Sequence, residues 1–594
     1  MLTMRLVVSG WLMGMMSLVV PVQAQIQPAQ SGLWSAPTTW VGGVVPGSGD
    51  HVVVSANHII TLDVAPTIQQ LSMSTGSFIG TNTLTVNGAF LWTDGTFGNG
   101  STSGRVEVAG VTTMTGSGQK ALRGFTLAMN GGGSWNQGNL SLSEGARLFV
   151  ASGETLTTTA NAPLLALNFN GGIGFVEVAG IWQQQGTGTV TVGASGTQVR
   201  FQQSGGSVAL GQGRLLIGNG GAIASPFSAD APGGELQVGG GALTVDGSGL
   251  QLTGGGRLRL TGGTLGGTGN VVCAADVILS GGTYAVGGTL TIQSNFLFSG
   301  GTVEGSNALI SIAGNLSWTG GSLGDNTVSG RVEVAGTTTL TGSSQKTLRG
   351  KTLVLNGGGS WDQGDLQISQ GGRFLVPAGQ TFTPTSSGLL QSYNFIGGIG
   401  FIEVAGTWQQ QGTGVVFVAA SGTQMRYVQA VGTLSLGQGE LRIGNGGTLP
   451  AAISSAPEGR LQITGGSVDL PSANTAMTGG GSLLISGGTL GGTGTVTWSG
   501  DVVLSGGTYG LTGPSTVQGN LTMSGGAVDG GVPSMLVEGD LLWSAGTIGN
   551  NSVTGTVAVS GLATLSGGKK LLRGKSLVMN GGGQWDAGNI TAAD

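Results

Sequence analysis

From about residue 76 onward the chain repeats one short pattern: four to six residues alternating apolar and small polar, then a turn of Gly, Asn, Ser or Asp, every ten or so residues. Val106/Val108, Leu258/Leu260, Leu290/Ile292 and, less regularly, Leu309/Ile312 are apolar members of the pattern. Period-two alternation is the signature of strands, and GG, NG and SG dipeptides mark turns. No helical periodicity longer than two turns follows Ala24. Two all-β architectures compete for such a pattern. A string of sandwich domains needs linkers and a separate buried set every ~100 residues, and neither is visible. A solenoid needs only that each coil cover its neighbours, and it tolerates unequal coils when insertions fall at turns. Residues 289–308, 309–330 and 331–350 each have about the length of one three-strand coil. The expected fold is all-β, a right-handed parallel β-helix of roughly 25 coils, on the order of 120 Å long at ~4.8 Å per coil.

A second, longer period lies over the first. Residues 104–138 and 330–364 are identical at 27 of 35 positions, and a third copy starts at Gly555. Trp92, Trp318 and Trp543 form one series at a nearly constant step, Trp135, Trp361 and Trp585 form another at the same step, and Trp182 pairs with Trp408. The unit therefore divides the chain into a first copy at 76–304, a second at 305–529 and a third, cut off, at 530–594. Glycine supplies 123 of 594 residues, which suits corners that need positive φ. Collagen is excluded because there is no Gly-X-Y period and only 15 prolines occur.

Residues 1–24 read as a secretory signal peptide: Arg5, an apolar stretch to Val20, Pro21, then Val22-Gln23-Ala24 before a cleavage point at Gln25. The stretch is shorter than the ~20 residues that span a bilayer, and no later apolar run has spanning length, so the mature chain is expected to have no transmembrane segment. With 21 basic against 26 acidic residues the chain has no field to attract nucleic acid. Cys273 alone permits no internal disulfide, and with two histidines it makes a zinc cluster improbable. Cys273 is expected to be buried and inert.

Repeated segments such as GGTLGGTGNVVCAADVILSGGTY and GGTLGGTGTVTWSGDVVLSGGTY resemble the strand repeats of bacterial autotransporter passengers and filamentous-haemagglutinin-like surface proteins. That resemblance implies an extended exported β-helix used for adhesion or display. An NPNG-like two-partner-secretion motif and a C-terminal membrane barrel, both found in relatives of that kind, are not seen. Residues 25–75 fall outside the repeat. Their TWVGGVVPGSGDHVVV segment is similar to the start of G8-like extracellular modules, and Trp34 and Trp40 stand in or beside it. A distinct first module is expected to act as a cap, since a bare solenoid end invites edge-to-edge association.

Several residues are candidates for chemistry. All six lysines fall in one element of the long unit: Lys120; Lys346 and Lys351; Lys569, Lys570 and Lys575. Arg123, Arg349 and Arg573 accompany them. An anion contact, to acidic glycan or lipopolysaccharide phosphate, competes with exposed corner charge that keeps strands from aggregating. Copies about 50 Å apart could add only through multivalency. Trp135, Trp361 and Trp585 follow a Gly-Gly-Gly run, and Trp182 and Trp408 precede Gln-Gln-Gln. These rings either stack on sugars at the surface or fill the coil. His51 and His58, beside Asp50 and Asp63, are readable as a metal or proton-transfer site, or as plain outer-face residues. Glu107, Glu177, Glu333 and Glu403 stand as isolated acids, not the paired carboxylates of polysaccharide-cleaving enzymes.

The expectation is a bacterial, exported, non-catalytic surface rod or adhesin with no catalytic residue, metal or cofactor, whose partners are glycans or a host or neighbouring cell surface. The alternatives are a carbohydrate-binding repeat protein and a β-helix polysaccharide lyase or hydrolase.

Overall fold

Each strand has too few inward side chains to shield itself. Val106 and Val108 point inward from Arg105–Val108, while Arg105 and Glu107 between them face out. The computed structural model describes residues 25–593 other than 102, 162, 169–170, 195–197, 225, 231–232, 305–308, 326–329, 395–396, 419–423, 530–533 and 551–553; the expected signal peptide lies outside the described residues. Among them are 78 short strands and two 3-10 turns. All named strand pairs are parallel, and from Ile59–Leu62 onward each strand bonds to the third strand after it. The result is a parallel β-solenoid of about 24 turns with three strands per turn. One sheet holds 27 strands and a second 26, with the remaining strands in the third. Ile26 to Leu565 contribute to one continuous apolar core inside the triangular coil.

Corners are closed by glycine and by short polar side chains. Gly98, Gly324 and Gly549 occupy one position in the three copies, with φ of 89°, 96° and 88°. A Cβ there would overlap the carbonyl oxygen of Arg123, Arg349 or Arg573 on the next coil, so the requirement is for both the left-handed backbone and the space. At another corner a side-chain carbonyl or carboxylate takes the backbone N–H of the coil above. Asp276 accepts from Asn295 at 3.1 Å, Asn295 from Asn315 at 2.9 Å and Asn315 from Thr337 at 2.8 Å. One long period later the ladder recurs as Asp501, Asn520 and Asp540, the last accepting from Leu562 at 2.8 Å. Each rung satisfies a corner N–H that the sheets leave unpaired.

Residues 25–43 hold two short strands and both 3-10 turns. Trp34 and Trp40 meet edge to face at 4.8 Å, Trp40 Nε1 donates to the Trp34 carbonyl at 2.8 Å, and Trp34 reaches Phe78 at 6.2 Å. The strand ladder runs through residue 75 without a break: His51–Val54 pairs with Gln70–Met73, which pairs with Phe90–Trp92.

The long sequence period does not match a whole number of turns. Thirty-one strands separate Lys120–Arg123 from Lys346–Arg349, and thirty-one more lead to Lys570–Arg573. With three strands per turn, each copy advances ten turns and one strand. The three lysine strands therefore sit in three different sheets, about 50 Å apart along the axis and one face apart around it. Equivalent residues do not line one lateral face, as a unit of eleven whole coils would have placed them.

Cys273 is fully buried between Leu252 and Ile292 of the adjacent coils, and burial pushes its thiol up to about 12. It should resist iodoacetamide at pH 8 in native buffer and react fully in guanidinium, followed by intact mass. Rapid native labelling would mean that these coils are not stacked.

Candidate functional site

The lysine element recurs in all three copies of the long unit. Lys120 projects into a corner, fully buried, and its Nζ donates to the carbonyls of Gly116 (3.0 Å), Gly118 (3.2 Å) and Gln137 (3.2 Å). Lys346 does the same with Gly342 (3.0 Å), Ser344 (3.2 Å) and Gln363 (3.0 Å). Lys570 donates to Gly568 at 3.0 Å and Ala587 at 3.3 Å. In each case one carbonyl belongs to the following coil, so the ammonium fastens two successive corners. Both sequence readings are corrected by burial: these three lysines are neither anion contacts nor exposed gatekeepers, because they have no exposed surface and their ammonium groups donate to backbone carbonyls inside the wall. Lys351 and Lys575 are also buried. Arg123 pairs with Glu144 at 3.2 Å, whereas the matching Arg349, with Gln370 standing where the first unit has Glu144, leaves its buried Nε without a partner. Arg573 lies exposed on the last described coils.

The tryptophan series is corrected for the same reason. Trp135, Trp182, Trp361 and Trp408 have no exposed surface, so none can stack on a sugar. Their inward positions follow from strand alternation. Trp135 Nε1 donates to Gly138 O at 2.9 Å and Trp361 Nε1 to Gly364 O at 2.8 Å, closing the corner that the lysine holds. Gln184 and Gln410, from the Gln-Gln-Gln runs, are buried and donate to Gly188 and Gly414. Trp585 keeps the bond to Gly588 at 2.9 Å but is 60% exposed, because no described coil lies over it.

The acids and histidines do not converge. Glu107 pairs with Arg105 at 2.7 Å, Glu177 with Arg147 at 2.8 Å and Glu403 with Arg373 at 2.6 Å, and Glu333 pairs with Arg331. His51 Nε2 shares a hydrogen bond with Ser72 Oγ at 2.8 Å, and burial lowers its pKa. Asp50 accepts from Gly47 N at 2.8 Å within its own turn, and Asp63 accepts from Ser35 N at 3.1 Å, 28 residues earlier, so the two carboxylates serve separate backbone contacts. Among the described residues no group of three or more His, Cys, Asp or Glu could hold a metal ion. Among the same residues no helix is long and apolar enough to cross a membrane.

Two surface features escaped the sequence reading. Arg147 lies over the Phe175 ring at 4.7 Å while bonding Glu177, and Arg373, Phe401 and Glu403 repeat this at 4.9 Å. The partners stand on different coils, and only the coil register brings them side by side. The second is a groove of about 500 Å³ in the first unit, between Asp94 and Gln119 on one wall and Asn99 and Arg123 on the other. Set against protein-family models, curated proteins and solved structures, the chain matches none of them.

Burial pushes the ammonium groups of Lys120 and Lys346 from 10.5 down to about 8, opposed by the carboxylates of Asp94 and Asp365. Between pH 8 and 10.5 the unfolded chain then binds more protons than the folded one, so this contribution to stability rises with pH and is lost as pH falls through 8. Lys120→Met and Lys346→Met each orphan three carbonyls and should destabilise by about 1–3 kcal/mol at pH 7. In thermal melts the gap between wild type and the double variant should widen from pH 7.5 to 10. A gap that narrows would mean that both ammonium groups keep their charge in the wall and that burial does not lower their pKa.

Proposed function

We propose that the chain is a bacterial, exported, non-catalytic β-solenoid that serves as a surface rod or adhesin, with length and lateral display as its functional properties. The observation that carries this reading is the use of the chain's polar residues. The lysines, the corner Asp and Asn side chains and the Arg147–Glu177 and Arg373–Glu403 pairs hold coil to coil, the Trp135, Trp361, Gln184 and Gln410 side chains close corners within a coil, and these features recur where the long unit recurs. A polymer of coils held in this way has reach and stiffness as its product. Export is supported by the signal-like composition of residues 1–24, and surface display by the resemblance to autotransporter passengers and filamentous-haemagglutinin-like repeats. The ion pairing of Glu107, Glu177, Glu333 and Glu403 favours a structural over a catalytic role for these acids. The Trp34–Trp40 pair fits a cap on the first coil.

The rotation of the copies bears on how such a rod would be used. Equivalent surfaces point in three directions at heights ~50 Å apart, so a flat partner meets one copy at a time. Contacts that add along the rod would have to come from partners on different sides, or from a thread that winds around it.

Fusion of residues 1–30 to alkaline phosphatase, which is active only where its disulfides form, should give an active reporter in a Gram-negative host. Small-angle scattering of the purified chain should give a maximum dimension on the order of 120 Å, as ~4.8 Å per coil requires. A cytoplasmic, inactive fusion would remove the export reading, and a compact scattering profile would remove the rod.

A further inference from the structure

We propose that the groove in the first unit is a binding site for a neutral saccharide, a role the second unit has given up by filling the same place. Its floor is the outward row Ser77, Thr96, Ala121 and Ser141, one small residue from each of four successive strands of the 26-stranded sheet. Small side chains on four neighbouring coils leave a trough that runs along the stacking axis. Ile59 and Ile79 continue the lining at one end and provide an apolar patch.

The trough presents hydrogen-bonding capacity that the protein leaves unused at Ser141, Asp94 and Arg123. Ser141 is 1% exposed, and its Oγ has no partner while lining the groove. Asp94 uses one carboxylate oxygen on Gly95 N at 2.6 Å and leaves the other to the groove. Arg123 spends Nε and Nη2 on Glu144, at 3.3 and 3.2 Å, leaving Nη1. A buried hydroxyl left unpaired costs about 1–3 kcal/mol, which an incoming hydroxyl would recover.

The same inventory selects the ligand. An anion is disfavoured because the Arg123 charge is already matched by Glu144 and Asp94 would repel it. A wholly apolar ligand would strand the polar walls. An extended peptide would seek a free strand edge, yet Ser77–Gly80, Gly95–Phe97 and Lys120–Arg123 are paired on both sides. A pyranose presents hydroxyls around its rim and a C–H face, matching amides, a carboxylate oxygen and hydroxyls beside two isoleucines. Coil spacing of ~4.8 Å also approximates the advance of one sugar unit along an oligosaccharide.

The second unit provides the contrast. Ala121 is replaced by Thr347, Ser141 by Gln367, Leu167 by Tyr393 and Asp94 by Gly320. Gln345 Nε2, matching Gln119, donates to Gln367 Oε1 and to Tyr393 Oη, each at 2.9 Å. Side chains of the protein thus make there the bonds that a sugar would make in the first unit.

The test uses the full chain on an array of neutral hexose and N-acetylhexosamine oligomers, with uronic-acid and sulfated oligomers as comparators, followed by titration calorimetry on each hit. Wild type should bind a neutral oligomer. The Ala121→Thr/Ser141→Gln variant, which installs residues the second unit already folds with, should weaken binding by about tenfold or more. Should that variant fail to fold, Gln119→Ala at the exposed rim should weaken the same hit several-fold. Binding confined to acidic oligomers, no binding by wild type, or hits unchanged in a folded variant would each overturn the proposal. None of these outcomes depends on export, so they leave the rod reading to its own test.

Discussion

The structure depends on parallel pairing between each strand and the third strand after it. A coil of three short strands has an inward face of two or three apolar residues per strand, and nothing in the coil itself covers its upper and lower edges. Those edges are satisfied only by the next coil, through backbone hydrogen bonds and side-chain contact together. Phe298 stacks on Trp318 at 5.9 Å and Phe78 on Phe97 at 5.4 Å because register places them one above the other. Corner chemistry follows from the same demand. Where a strand ends, backbone groups lose their ladder, and a lysine ammonium, a glutamine amide or an asparagine carbonyl takes the vacant place.

The long sequence unit and the coil are separate periods, and their mismatch shapes the surface. A unit of thirty-one strands keeps every inward residue inward, since each strand still pairs with the third one on, but carries the whole pattern to the next face. Duplication of such a unit therefore reproduces the core and the corners without building a flat repeated surface. The differences between copies agree with this division. Met114 and Met129, inward, become Leu340 and Leu355 at nearly constant volume. Ala121 and Ala128, facing outward, become the larger Thr347 and Val354. Phe125 becomes Lys351, an inward exchange of apolar for charged, and Asn99 becomes Asp325, whose carboxylate favours the lysine charge. A buried charge is tolerated when a second change supplies its counter-charge.

The class of fold was legible because alternation with period two and glycine-marked turns are local signals. Burial of Cys273 was legible for the same reason. The roles of Lys120 and Trp135 were not, although both positions were singled out by recurrence. Recurrence identifies residues under one constraint without saying whether the constraint faces inward or outward. A lysine usually reports surface, and alternation through KALR was too short to show that Lys120 and Leu122 share the inner face. The Arg147–Phe175 stack and the groove were invisible because they join residues of different coils, and the length of a coil varies with its irregular corners. Without a register, positions that far apart in sequence cannot be set side by side.

The groove follows from that separation of inner and outer faces. Inward positions are bound to the core on both sides, so change there is confined to residues of similar volume or to paired substitutions. Outward positions on a solenoid face only their neighbours above and below, so a row can be emptied or filled without disturbing the ladder beneath. Ser77, Thr96, Ala121 and Ser141 form an emptied row; Thr347 and Gln367, with Tyr393 beside them, form a filled one on an equivalent frame. Specific chemistry on a rod of this kind is therefore to be sought where duplicated copies differ on the outer face, while the residues they share describe how the rod is held together.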